Sequence, residues 1–368
     1  MSYMGADLLE QFRKTYSGKR VLITGHTGFK GSWLSEWLLE CGAEVAGYAL
    51  EPVTDPNLFE RLGLAGRMRH AIADVRDPNT LSLALSDFKP DFVFHLAAQP
   101  LVVESYHDPQ LTFETNIMGT VNLLEALRRM DHACIGIMVT SDKCYRNDNS
   151  GNAFVETDPL GGEDPYSASK GAMEIVVHSY RKSFFANSPV RLASARAGNV
   201  IGGGDYAADR IVPDCIRGLE AGTAIEVRNP AHTRPFQHVL EPLSGYLWLG
   251  SRLAGGWTDP EDLYAFNFGP EEEGHRSVKE LVEAVLTHWP GQWESPSGEA
   301  GPTEAKLLSL SVERARRHLG WQPRWGFSKT VEETVNWYKT ASGIPLENTD
   351  TVVALTRDSI RRFCSSDG

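Results

Sequence analysis

Residues Val21–Gly31 read VLITGHTGFKG, and this stretch decides the fold. Val21, Leu22, Ile23 and Thr24 make a short apolar, β-branched run, the composition of a strand buried in a parallel sheet. Gly25, Gly28 and Gly31 follow at intervals of three, and SWLSEWLLECG then repeats apolar side chains with the rhythm of one helix face. A strand, a glycine turn and a helix present bare backbone N–H groups and a helix N-terminus to a pyrophosphate. One glycine makes the turn tight, one lets a phosphate approach, and one lets helix pack on strand. Three glycines alone would suit an ordinary turn. Set between this strand and this helix, Gly25, His26, Thr27, Gly28, Phe29, Lys30 and Gly31 read as a dinucleotide cradle. The spacing is GxxGxxG rather than the commoner GxGxxG.

The chain of 368 residues has room for one large domain or two ordinary ones. Its composition, 41% hydrophobic and 23% charged, is that of a soluble globular protein. A formal net charge of −12 argues against a nucleic-acid partner, which needs a basic face, but permits a local basic pocket. Five scattered cysteines never form a CxxC pair, so they read as free thiols of a reducing compartment with no metal site. The N-terminus lacks the apolar core of a signal peptide, and no apolar run approaches the ~20 residues that span a bilayer. A cytoplasmic protein with no membrane partner is expected.

Outward from the glycine turn, β and α patterns alternate. Strands are expected at 44–50, 69–73, 91–98, 134–140, 190–196 and 265–269, and helices at 7–16, from Asn116 onward, and at 166–182 and 237–253. This alternation implies an α/β fold, a doubly wound parallel sheet with the active centre outside its C-terminal strand ends. The end of the second strand carries neither a well-placed acid nor an arginine for a 2′-phosphate, which favours NAD over NADP. Asp74-Val75 closes the third strand, where Asp74 either meets adenine or belongs to the cap of the next helix. Leu96, Ala97 and Ala98 end the fourth strand with side chains small enough for a cofactor to lie close. His95 reads as a packed strand residue. Beyond about 200, turns and prolines become frequent. Helices are expected at 277–289, 311–320 and 330–339, a surface loop at 290–303, and little structure after 345 beyond a possible short helix.

The second chemical signal is Tyr166-Ser-Ala-Ser-Lys170. Residues four apart on a helix share a side. A nearby ammonium lowers a phenol's pKa from about 10, so that the phenol can take a proton from a sugar hydroxyl. A surface pair is the plainer reading of YxxxK. Ser141, at the end of the fifth strand, either bonds the reacting oxygen or caps the turn that follows. Asp142 supplies an acid and Lys143 a possible base.

GxxGxxG followed by YxxxK after the fifth strand resembles the extended short-chain dehydrogenase/reductases. GHTGFKGSWL, HLAAQPLV, TNIMGT, TSDKCY, DPYSASKG, RAGNVIGGGD, RPFQHVLEPLSGY and LGWQPRW together resemble the CDP-glucose 4,6-dehydratases over roughly 17–340. The resemblance implies a Rossmann domain at 1–198 and 237–268, and a smaller mixed α/β C-terminal substrate domain at 199–236 and 269–345. Residues 346–368 remain as a tail. It implies NAD held by the glycine turn with Asp74, Val75, Leu96, Ala97, Ala98, Asn116, Tyr166 and Lys170. Ser141, Asp142, Lys143, Tyr166 and Lys170 would be catalytic. Gln99, Ser105, Asn199, Arg210 and Arg234 would meet CDP-glucose, the two arginines at its diphosphate. A homodimer or homotetramer is implied. Two departures stand out: Ser-Asp-Lys where nucleotide-sugar dehydratases usually have Thr-Asp-Glu, and Val103-Glu104 where basic residues are expected. A 4-epimerase, a dehydratase of another nucleotide sugar, and a non-catalytic sensor remain as alternatives. His26 is bulky for its place. It either crowds the pyrophosphate, so that His26→Gly would tighten NAD binding, or points to solvent.

Overall fold

In the computed structural model, which describes residues 7–147, 151–258, 264–295 and 308–365, the run Arg20–Thr24 forms β1 inside a seven-stranded sheet. The other strands are β2 (Glu44–Ala49), β3 (Arg69–Ile72), β4 (Phe92–His95), β5 (Cys134–Val139), β6 (Val190–Ala197) and β7 (Ala265–Phe268). Their order is β7-β6-β5-β4-β1-β2-β3, and every pairing is parallel. The chain winds one way from β1 to β3 and the other way from β4 onward. The resulting crevice between the ends of β1 and β4 is where such sheets bind ligands.

Alternation along the strands feeds two cores. Val21, Ile23, Phe92, Phe94 and Ile137 face one side of the sheet, and Leu22, Val93 and Met138 face the other. The first side is covered by α1 (Leu8–Tyr16), α2 (Phe29–Glu40) and α7 (Leu240–Ala254). The second is covered by α3 (Pro78–Phe88), α4 (Gly119–Arg128) and α5 (Pro165–Phe184). Beyond β6 lie α6 (Ile211–Ala221), α8 (Val278–His288) and α9 (Phe327–Ser342), with three small strand pairs.

Several elements differ from their sequence expectation. The helix expected from Gln237 starts at Leu240, because Gln237–His238 pairs in parallel with Val200–Ile201. The helix expected at 311–320 runs over 313–319, its last five residues, Ala315–Leu319, wound as a π-helix, and Gly320 closes it in the left-handed region (φ 75°). In the expected loop at 290–303, Trp293–Glu294 pairs with Ile225–Glu226, and positions 296–303 lie outside the described residues.

The largest difference is the tail. Thr349–Ser365 is a 17-residue helix, α10. It docks on α2, placing Phe363 against Trp37 and the Thr356 hydroxyl under the Trp337 indole N–H. Glu36, fully buried on α2, accepts a fork from Arg67 (2.6 and 2.8 Å) and a bond from Arg357 of α10 (2.7 Å). The tail thus braces the helix that opens on the glycine turn. Glu36→Ala should lower stability by about 2 kcal/mol, the partly exposed guanidinium groups being able to turn to solvent. A urea melt reads this as a lower midpoint, and an unchanged midpoint would remove this carboxylate from the bracing.

Candidate active site

The crevice between β1 and β4 is made by backbone contact. Gly25 has φ +78°, and a Cβ there would stand 2.7 Å from the Ala97 nitrogen. A Cβ on Gly31 would stand 2.1 Å from the Gly25 carbonyl oxygen, so α2 presses directly on the turn. Gly28 caps α2 with no side-chain bond, and the Ser32 N–H to the Gly28 carbonyl (2.8 Å) is an early bond of the helix. The N–H groups of Phe29, Lys30 and Gly31 are therefore left at the helix mouth with its positive dipole end. Uncapped amides, glycine backbone and the small Ala97-Ala98 edge fit the pyrophosphate of a dinucleotide.

The adenine side is less open than the sequence suggested. The Asp74 carboxylate is wrapped by Arg76, which donates from its backbone (2.9 Å), Nε (2.8 Å) and Nη2 (2.6 Å). An adenine amino group would have to share it. Val75 is buried under Gly119. Thr27 donates to the Leu50 carbonyl (2.8 Å), tying the turn to the end of β2. The solvent alternative for His26 is corrected: its imidazole is fully buried, edge-on to Phe59 and filling the space left by Gly47. Burial and His70 lower its pKa to about 4. His95 is packed, as expected, between the hydroxyls of Thr24 (2.7 Å) and Thr120 (3.1 Å).

On the sugar side, β5 runs into Thr140 and Ser141, and Ser141 caps a short turn over Asp142–Cys144. The Ser141 hydroxyl donates to Asp142 Oδ1 (2.9 Å) and accepts from the Lys143 N–H (3.2 Å). Asp164 caps α5 through the Ser167 N–H and hydroxyl, and Pro165 opens it, which sets Tyr166 in the first turn. Tyr166, Lys170, Ser141 and Asp142 are all buried. Burial pushes the Tyr166 phenol up to about 12, the Asp142 charge adds to this, and the Ser141 hydroxyl and Arg210 oppose it. Arg210 is a cation that acts on the phenol, and Lys170 stands one helical turn along α5. Lys170 itself is lowered to about 8 by burial, against the pull of Cys144 and Glu174. Burial raises the Asp142 carboxyl, with Lys143 and Lys30 opposing. Lys30 is lowered to about 8 by burial, helped by Arg210 and Lys170 and opposed by Asp142. Ser141, Asp142, Tyr166, Lys30 and Arg210 thus lie within electrostatic reach of one another.

Arg210 precedes α6 and donates to Asp205 (3.0 Å). Its loop is pinned by Trp33 on the Gly203 carbonyl (2.9 Å) and Tyr338 on the Asp205 carbonyl (2.5 Å). Arg234 lies in the strand Thr233–Pro235 and donates to the Thr233 carbonyl (3.0 Å). Asn199 follows β6, its carbonyl accepting from the Gln237 N–H (3.4 Å). Asn116 ties the loop after β4 to α5: its amide donates to the Ser169 hydroxyl (2.8 Å) and accepts from the Gln99 N–H (2.9 Å). Gln99 bonds Leu101 and Thr112, and Ser105 bonds the Val102 carbonyl (2.7 Å). Their polar groups shape their own loop. Sequence reasoning missed the buried Glu174–Arg196 pair (2.8 Å) behind this turn, although Glu174 stands one helical turn past Lys170.

Fold and site define a dinucleotide-binding enzyme of the extended short-chain dehydrogenase/reductase type. The chain belongs to the GDP-mannose 4,6 dehydratase family, whose model matches residues 22–247. It is 47% identical to the CDP-glucose 4,6-dehydratase of Salmonella typhimurium over 332 residues, 88% of this chain and 91% of that one. Among solved structures it is similar to a Thermus thermophilus UDP-glucose 4-epimerase in complex with NAD, with a TM-score of 0.75 and 27% identity over 88% of this chain and 99% of that one. A dTDP-glucose 4,6-dehydratase of Bacillus anthracis in complex with NAD shares the fold, with a TM-score of 0.72 and 19% identity over 88% and 97%.

Gly31→Ala should abolish measurable NAD binding in a calorimetric titration, because the new Cβ meets backbone rather than a yielding side chain. Wild-type affinity would refute the close-approach account. His26→Gly opens a cavity under β2 and should reduce stability by about 3 kcal/mol in a denaturant melt, whatever it does to NAD affinity.

Proposed function

We propose that this chain converts CDP-D-glucose to CDP-4-dehydro-6-deoxy-D-glucose with NAD, as a hydro-lyase. What supports the reading is that the Ser141 hydroxyl bonds Asp142 and that both act on the buried Tyr166 phenol. The 47% identity to a CDP-glucose 4,6-dehydratase supports the choice of base and sugar.

NAD, bound at the glycine turn, supplies the acceptor for the C4 hydride and its return at C6. Tyr166 takes the C4 hydroxyl proton, with Ser141 bonding the same oxygen. The resulting ketone acidifies the C5 proton, and Lys143 stands beside Asp142 on the turn as the candidate to receive it. Asp142, whose pKa burial raises, is suited to protonate the departing C6 hydroxyl. Arg210 and Arg234 hold the diphosphate, with Asn199 alongside. The division of labour follows the chain: residues 1–198 and 237–268 for the dinucleotide, and 199–236 and 269–345 for the nucleotide sugar. The product class serves deoxysugar synthesis for surface polysaccharide.

An epimerase or a dehydratase of another nucleotide sugar is the second reading, favoured by the epimerase-like fold match. A pure C4 epimerase has no use for an acid at C6. The test is incubation with CDP-glucose, UDP-glucose, dTDP-glucose and GDP-mannose. A base-sensitive keto-sugar chromophore should appear with CDP-glucose. A galactose product would mark an epimerase, and no turnover would leave a binding protein. Asp142→Asn should lower keto-sugar formation by about 10²-fold. In the wild type, activity should fall as pH rises through the raised Asp142 pKa, because the acid form is the one that acts.

We further infer a homodimer or homotetramer in the cytoplasm. Val103, Tyr106, Phe113 and Met118 expose apolar surface on the segments between β4 and α4, and Ile175 does so on α5. No described helix is long and apolar enough to cross a membrane, and all five cysteines are free and buried. Light scattering should give at least twice the 40.7 kDa chain mass, and Met118→Glu should reduce it. A 40.7 kDa wild-type particle would refute the pairing.

A further inference from the structure

Behind the reacting groups lies a buried ion pair that the proposed chemistry leaves without a task. Glu174 on α5 and Arg196 on β6 are 0% and 1% exposed, with Nη2 to Oε2 at 2.8 Å. A pair this deep adds little net stability unless its other bonding positions are filled, so where those bonds go is informative.

They go to both ends of the catalytic turn. Glu174 Oε1 accepts from the hydroxyl of Thr140 (2.5 Å), the residue before Ser141. Arg196 Nη1 donates to the hydroxyl of Tyr145 (2.8 Å), the residue after Cys144. Ser194 adds bonds to both Glu174 oxygens (2.7 and 2.8 Å). The Tyr145 hydroxyl donates onward to Asn267 (2.7 Å), and Arg196 also reaches the Glu156 carbonyl (3.1 Å). Glu174 stands one turn beyond Lys170 on the helix that carries Tyr166. One ion pair therefore touches the catalytic helix, the sheet and both flanks of the Ser141–Cys144 turn.

We propose that the Glu174–Arg196 pair is a positioning device: it clamps Thr140 and Tyr145 and so sets Ser141, Asp142 and Lys143 against Tyr166. The proposal rests on the dehydratase reading for its kinetic readout but not for its structural one. Its partners act on geometry, so loosening either end should lower turnover rather than binding. A displacement near 1 Å at a reacting group is worth up to about 10²-fold in rate.

The test uses the full chain with Thr140→Val, Tyr145→Phe and Glu174→Gln. Thr140→Val and Tyr145→Phe each delete one hydroxyl and leave the ion pair intact. Each should lower kcat on CDP-glucose about tenfold, with KM for CDP-glucose and NAD within about twofold. Amide exchange at Lys143, Cys144 and Tyr145 should speed up in both. Where Glu174→Gln folds, adding Thr140→Val to it should cause no further loss, because the hydroxyl acts through that carboxylate. Wild-type kcat in both single variants, or fully additive losses in the double variant, would overturn the proposal. Where Glu174→Gln does not fold, the two single variants decide. Exchange needs no turnover. Should the wild type fail to dehydrate CDP-glucose, faster exchange in the variants would still support the clamp, and unchanged exchange would overturn it.

Discussion

The rest of the structure depends on a steric closeness, the seating of α2 directly on the glycine turn. Gly31 meets the Gly25 carbonyl and Gly25 meets Ala97, with no side chain between. That contact aims uncapped amides at the crevice where the sheet changes its direction of winding. It also fixes where the sugar end must be. Ser141 follows β5, which lies on the far side of β4 from β1 and that turn, and Tyr166 opens α5 nearby in the chain. The surroundings reinforce α2: Trp33 holds the loop at Gly203, and Glu36 holds α10.

Burial then sets the chemistry. Tyr166, Asp142, Lys170 and Lys30 are taken from water together, and each shifts toward its neutral form. Burial makes the Asp142 carboxyl a weaker acid and holds the Tyr166 phenol in its neutral form, so a phenolate there needs help. The Ser141 hydroxyl and the Arg210 charge both act to lower the phenol, against its burial. The buried ion pair behind the turn gives these groups a rigid support that loop residues alone would not supply.

Most sheet strands were legible because parallel strands buried on both faces read as apolar runs; β3, RHAI on the exposed edge of the sheet, is the exception. Their observed bounds fall close to the expected ones at β1, β2, β3, β5, β6 and β7. The C-terminal elements were harder. α10 buries Thr356, Ser359 and Cys364 beside Val352, Ile360 and Phe363, so its inward face does not read as apolar. Gln237–His238 has the pattern of a helix start, yet its backbone is claimed by Val200–Ile201 from another part of the chain. His26 looked exposed or obstructive because nothing local announces that Gly47 leaves room for it.

What the sequence determined by itself was the order of strands and helices, the glycine turn between β1 and α2, and the placing of Ser141 and Asp142 after β5 and of Tyr166 and Lys170 on α5. Those are properties of periodicity, short spacing and residue chemistry, which survive in one dimension. Only the tertiary structure decided which charges act on which: Arg210 on the phenol, Lys30 on Asp142, Arg76 around Asp74, and Glu174 with Arg196 across the catalytic turn. Such pairings join residues many positions apart, and burial sets their strength, so no local pattern encodes them.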